Sequence, residues 1–231
     1  MIQLDVLCIG WLERNDDGSV KEAHSTSTLI RADGRNIVVD TSTPYMWPAV
    51  KTSFRQIGIF PEDVDTVILT HAHEDHIGNL KRYRKAKVLI HSGSDVEIPG
   101  AQIIDCDEYE VCPGVRMVHT PGHCPEESSV FVDADRHYVC AGDAVPLADN
   151  LKEGKPPAIH TDLEQATESM DAIRRFADMV VPGHGAPFML RGLRGALAHA
   201  RRNIKGHSSL HTDSHRSSVG GGRYNDPERD A

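Results

Sequence analysis

Three imidazoles and a carboxylate crowd into six residues of this chain: His71, His73, Asp75 and His76, in the run THAHEDHIGN. Neutral imidazole and carboxylate are the ligands that a borderline divalent cation such as zinc takes. The chain carries 14 histidines in 231 residues, so some clustering is expected. Donors packed this tightly nevertheless have few purely structural uses, and the run reads as a metal site. The segment before it, VDTVILT, is a β-branched apolar run bounded by a Pro-Glu-Asp turn and predicts a buried strand. Ile77 to Tyr83 is compatible with a helix start. The four donors then lie on a strand-to-helix loop, where binding and catalytic groups collect.

H-x-H-x-D-H after a strand resembles the signature of the metallo-β-lactamase superfamily, and the remaining parts of that signature follow in order. His123 lies in TPGHCP, Asp143 in CAGDAV and His184 in VPGHG, while Asp40 ends the strand IVVD. The resemblance spans about Ile2 to Phe188. It implies two metal positions, with His71, His73 and His123 at one, Asp75, His76 and His184 at the other, and Asp143 bridging both. Asp75 and Asp143 are the carboxylates it places in the chemistry. Asp40 it places behind the metal loop, accepting hydrogen bonds, as carboxylates that orient imidazole ligands do. The cofactors implied are two divalent ions, zinc first, with iron or manganese as alternatives.

Two metals sharing a carboxylate and a hydroxide stabilise both the attacking and the leaving oxygen of a displacement, and bound water loses its proton near neutral pH. The resemblance therefore implies a metallo-hydrolase in which a metal-bridging hydroxide attacks an ester, thioester, lactone or phosphodiester. Two other readings use the same residues. A mononuclear iron oxygenase of the persulfide dioxygenase kind would draw on His71 or a neighbour, His123 and Asp143. A metal-stabilised binding protein would need no turnover, but its usual mark is a missing ligand, and none is missing here.

The elements around these donors alternate as an α/β (α+β) chain of the αββα type, two mixed sheets with helices on both outer faces. QLDVLCIGWL reads as a strand, STLIRADGRNIVVD as a hairpin turning at Asp33-Gly34, and Pro48 to Ile57 as a helix. VLIH, QIID and VRMVHT are short strands, and SSVFVDADRHYVC is a second hairpin that delivers Asp143. Asp162 is a helix N-cap ahead of Leu163, Ala166, Met170, Ile173 and Phe176 at helical spacing. DMVVP is the strand before His184, and a last helix is expected from about Leu190 to Asn203. Gly122, Gly142, Gly183 and Gly185 flank three of the ligands and let the backbone turn sharply there. The domain is expected to occupy residues 1–205, with residues 206–231 a disordered polar tail containing His207, His211 and His215.

Apolar content of 39% and a mean hydropathy of −0.39 suit a soluble domain, and no apolar run reaches the ~20 residues of a membrane helix. The N-terminus reads as a first strand and not as an export signal. Five scattered cysteines (Cys8, Cys106, Cys112, Cys124, Cys140) without a C-x-x-C pair predict reduced thiols and a cytoplasmic protein. Cys124, next to His123, is read as a buried or pocket-lining thiol and not a ligand. His24, His91, His119, His137 and His160 are read as structural or surface residues, His160 being the one nearest the ligand segments. A net charge of −9 argues against non-specific nucleic-acid binding, so RNA is a partner the charge does not indicate. The basic run LKRYRKAK reads as a solvated helix end.

Departures narrow the superfamily. No residue of the ligand set is replaced by cysteine, as it commonly is in exported lactamases. Neither the glutathione-holding extension of glyoxalase II nor the large insert of the β-CASP nucleases is expected, with 47 residues of the sequence after His184 and His184 only 41 positions after Asp143. Acyl-homoserine lactonases carry a Tyr shortly after the bridging Asp, where this chain has AVPLAD. The layout is most similar to small single-domain members, a group linked to phosphodiester cleavage of RNA in animals. A small-molecule or phosphodiester substrate is therefore expected.

Overall fold

The computed structural model describes residues 1–190. The helix expected from Leu190, the domain limit at 205 and the histidine-bearing tail lie outside the described residues. Runs of Val, Ile and Leu in VLC, TLI, IVV, TVI and VLI build the first sheet. Its strands are β1 (Gln3–Cys8), β4 (Ser27–Ala32), β5 (Arg35–Val39), β6 (Thr66–Ile68), β7 (Lys87–His91) and β8 (Gln102–Ile104), hydrogen-bonded in that order. β1, β4 and β5 pair antiparallel, and β5 to β8 run parallel. The second sheet has the order β14 (Phe188–Met189), β13 (Met179–Val181), β12 (His137–Cys140), β11 (Ser128–Asp133), β10 (Val115–His119), β9 (Glu108–Cys112). It is antiparallel except between β12 and β13. A separate hairpin joins β2 (Trp11–Arg14) to β3 (Val20–His24).

Alternation along these strands decides the layers. Ile30, Ile37, Val39, Ile68 and Leu89 of the first sheet meet Val115, Met117, Val130, Val132 and Val181 of the second in a buried inter-sheet core. The opposite face of the first sheet, with Leu29, Val38 and Val67, packs on Val50 and Phe54 of helix α1 (Trp47–Ile57). Short α2 (Glu74–Ile77) and α3 (Ala148–Glu153) follow. Helix α4 (Leu163–Phe176) lays Met170 and Ile173 on Phe131, Val139 and Val180 of the second sheet. The fold is thus the αββα sandwich expected. Asp162 caps α4, its Oδ1 accepting a hydrogen bond from Gln165 N at 3.0 Å. Asp33 and Gly34 both adopt positive φ (51° and 72°), the backbone of a tight hairpin, and set Ile30 opposite Ile37. No helix of the described residues is long and apolar enough to cross a membrane.

Three local expectations differ from what is observed. QLDVLCIGWL is two strands, because the chain breaks at Gly10. A Cβ there would stand 2.0 Å from the His24 carbonyl, so only glycine lets the two backbones approach. Ile77–Tyr83 is not a helix; α2 begins earlier, within the donor run, and Leu80–Arg82 is a 3-10 turn. The basic run is accordingly no helix end, and Arg82 lies over the Trp47 ring at 4.4 Å.

Candidate metal centre

Each donor segment follows the C-terminal end of a strand: Asp40 after β5, His71 after β6, His123 after β10, Asp143 after β12 and His184 after β13. The sandwich brings these ends together at one edge. His71 Nε2 and His123 Nε2 stand 3.0 and 3.1 Å from His73 Nδ1. Two nitrogens bound tetrahedrally to one zinc at ~2.05 Å are about 3.3 Å apart, so the spacing suits a shared ion. On the other side, Asp75 Oδ2 lies 3.6 Å from both His76 Nε2 and His184 Nε2. Asp143 stands between the groups. Its Oδ2 is 3.6 Å from His123 Nε2, and its Oδ1 is 3.2 Å from His184 Nε2 and 3.6 Å from His76 Nε2.

Donor atoms of His71, His73 and His123 fall within 4.8 Å of one another, as do those of Asp75, His76 and His184, and those of His71, His76 and Asp143. His76 Nε2 and Asp143 Oδ1 are buried and have no hydrogen-bond partner among the described residues. Two buried polar atoms 3.6 Å apart, each without a hydrogen-bond partner, cost free energy unless a cation satisfies both. The residues therefore fit a divalent metal.

The far nitrogen of four rings is held from behind. His76 Nδ1 donates to Asp40 Oδ2 at 2.8 Å, His123 Nδ1 to the Ile159 carbonyl at 2.9 Å, and His184 Nδ1 to the His24 carbonyl at 2.9 Å. His71 Nδ1 faces Glu127 Oε2 at 3.1 Å. Such contacts fix ring orientation and, in the neutral ring, the tautomer that leaves the near nitrogen's lone pair free for a ligand. Asp40 also accepts hydrogen bonds from Thr70 N (2.9 Å) and Thr70 Oγ1 (2.8 Å), so it braces the loop as well as the ring. Its backbone sits in the left-handed region (φ 54°), as does that of Ser42 (φ 56°). Aspartate tolerates that conformation better than most residues, and such strain collects at functional sites.

Charge separates the rings. Burial, and then the neighbouring His76, push His71 well below the usual histidine range, so it is a neutral donor. For His76 burial works in the same downward sense, but the Asp40 and Asp143 carboxylates overcome it and hold the ring well above that range. Burial likewise opposes ionisation of Asp143, yet His184 and His76 hold its carboxyl well below the usual value.

Glu127 is the functional residue that the sequence reading missed. It is fully buried, with Oε2 against His71 Nδ1 and Oε1 accepting from the Asp143 backbone N–H at 3.1 Å. One side chain thus ties a histidine of the first group to the residue shared by both. Burial and the Asp143 charge push its carboxyl well up. The only signal in the sequence was an adjacent pair of glutamates, Glu126-Glu127, entering an apolar strand, and its distance from the THAHEDH run hid the partner. Glu127→Gln, which keeps the volume, is expected to weaken metal binding about tenfold in a chelator-competition titration; unchanged affinity would leave Glu127 a packing residue.

Cys124 is buried as expected, and burial together with the Glu127 and Glu126 carboxyls pushes its thiol far up. Its Sγ, a His123 nitrogen and a Glu127 oxygen also lie within 4.8 Å of one another. Glu127 is already engaged by His71 and Asp143, so this trio is no separate metal site. His160 is exposed and bonds the Pro157 carbonyl, outside the donor group. His91 and His119 stack on each other, centroids 3.7 Å apart. His24 acts through its backbone, as the support of His184. Gly122 (φ 128°) lets the TPGHC turn touch α4, since a Cβ there would be 2.2 Å from Ala166 N.

A cavity of about 120 Å³ opens over the donors, with His73, Asp75, His123, Asp143 and His184 on its floor. The β2–β3 hairpin supplies one wall through Leu12, Arg14, Val20 and Ala23, and Pro146, Pro157 and Ile159 supply the other.

Residues 20–100 match the family model described as the metallo-β-lactamase superfamily. A probable metallo-hydrolase of Methanocaldococcus jannaschii is 34% identical over 183 residues, covering 79% of this chain and 87% of its own. Metallo-β-lactamase domain-containing protein 1 of Mus musculus is 33% identical over 193 residues, covering 79% and 73%. Among solved structures, a Bacillus thuringiensis protein with N-decanoyl-L-homoserine bound at its active site superposes with a TM-score of 0.64 at 19% identity, covering 79% of this chain and 92% of that one.

Proposed function

This chain belongs to the metallo-β-lactamase superfamily and is a metallo-hydrolase, and we propose that it is a binuclear zinc enzyme acting on a small ester, thioester, lactone or phosphodiester. The observation that carries the reading is the posture of Asp143, which turns one carboxylate oxygen to His123 and the other to His76 and His184. His71, His73 and His123 would hold one ion, Asp75, His76 and His184 the second, and Asp143 both. When bound, such a pair supplies Lewis acidity to the carbonyl or phosphoryl oxygen and makes hydroxide available near neutral pH. The protein's part is to hold these donors rigidly. Asp40, Glu127 and the carbonyls of Ile159 and His24 do so by engaging the far nitrogens. Asp75, partly open to the cavity, would face the attacking oxygen as well as hold the second ion.

All five cysteines are free and four are buried, which supports a cytoplasmic setting.

A panel of nitrophenyl esters, a thioester, a lactone and bis(4-nitrophenyl) phosphate tests the reading on zinc-loaded protein. Turnover of at least one class is expected, lost with chelator and restored by zinc. No turnover of any class at full zinc loading would overturn it. Chelation is also expected to lower the melting temperature, because a ligand at a thousand times its Kd stabilises the folded chain by about 4 kcal/mol.

A further inference from the structure

The cavity over the donors has apolar walls and one cation. On β2 the side chains alternate, with Leu12 and Arg14 turned to the cavity and Glu13 on the other face, where it pairs with Lys21 at 2.6 Å. Arg14 Nη1 donates to the Gly18 carbonyl at 2.8 Å, across the hairpin's own turn. Among the described residues no carboxylate forms an ion pair with it, although the chain carries 34 Asp and Glu against 25 Lys and Arg. The carboxylates on the cavity floor, Asp75 and Asp143, are turned to histidines instead. The hairpin does not hang loose over the site, since the carbonyl of His24, at its root, is the acceptor for His184 Nδ1.

Resting on the hydrolase reading, we propose that the substrate is anionic, carrying a carboxylate or phosphate group beside a compact apolar part, and that Arg14 is the residue that reads the charge. A guanidinium that meets no carboxylate among the described residues, at the rim of a site on a protein of net charge −9, offers an anion a local partner, and its fork matches carboxylate and phosphate oxygens. Leu12, Val20 and Ile159 leave room for a short aliphatic arm and offer it no hydrogen bonds.

The test compares mono(4-nitrophenyl) succinate with 4-nitrophenyl butyrate, which share a leaving group and differ in one terminal carboxylate, and adds bis(4-nitrophenyl) phosphate as the phosphate arm. Zinc-loaded wild type is expected to show the lower KM on the succinate or on the phosphodiester, whichever anion it takes. Arg14→Gln should raise KM for that substrate about tenfold relative to the butyrate, with kcat within about twofold, and Arg14→Lys should recover part of the loss. A butyrate preference in wild type, or equal effects of Arg14→Gln on charged and neutral esters, would overturn the proposal while leaving the hydrolase reading standing. Turnover of none of the three, nor of the thioester and the lactone, would overturn the hydrolase reading. Calorimetry of succinate binding to wild type and Arg14→Gln then decides the role of Arg14 by itself: tighter binding to wild type supports it, and equal binding overturns it.

Discussion

Asp143→Ala is expected to reduce turnover to the uncatalysed background and to lower metal occupancy at both positions together. Among the described residues, no other faces both donor groups in this way. Its Oδ2 addresses His123, and its Oδ1 addresses His76 and His184. Removing it takes from His76 and His184 one of the charges that offset their burial, and takes from the other group the carboxylate oxygen that faces His123 Nε2. Loss of an outer partner typically weakens a metal site ~10–100-fold, and loss of a direct, shared ligand should exceed that. Metal per chain by elemental analysis, read beside turnover, checks it. A variant that kept two metals and full activity would contradict the shared role. The fold should survive, since Asp143 lies on the short 3-10 turn Gly142–Ala144 after β12 and outside the inter-sheet apolar core.

The second large effect is expected at Asp40, which touches no substrate. Asp40→Asn should leave the fold in place and weaken metal affinity ~10–100-fold. Aspartate accepts three hydrogen bonds here, from Thr70 N, Thr70 Oγ1 and His76 Nδ1. An amide presents one acceptor oxygen and one donor nitrogen, so one edge of the substituted side chain would turn N–H toward the N–H of His76 or toward Thr70. His76 then loses the partner that fixes its tautomer, and its Nε2 is no longer held toward the second position. Asparagine also tolerates positive φ, so the backbone at this residue is not the cause of the change. Chelator competition measures the affinity, and an unchanged value would contradict the support role.

The ordered donors were legible in the sequence because each ends a short apolar strand beside a turn: IVVD, ILTH, TPGH, CAGD and VPGH. That those strand ends meet in one site was implied by the family resemblance. The Asp33-Gly34 hairpin and the Asp162 cap were legible too, since both depend on local backbone chemistry. Less visible was anything that acts through the backbone or across the sheets. His24 and Ile159 hold ligand rings with carbonyls, which any residue type would supply. Glu127 looks like an ordinary acid until the fold turns it inward against His71. The β2–β3 hairpin was hidden for a different reason: VKEAH is too polar to read as a strand, because much of it is solvent-exposed. Gly10 broke the first strand by a tertiary contact with the backbone at His24, which no local pattern records. Strand β9, EYEVC, was missed likewise, since its first three residues are polar and exposed or half-buried.

The central claim is a pair of zinc ions held by seven side chains, and its most direct test is elemental analysis of protein purified without a tag or chelator. Close to two zincs per chain is the result expected. One iron per chain with little zinc would contradict it and would turn the search from hydrolysis to oxygen consumption.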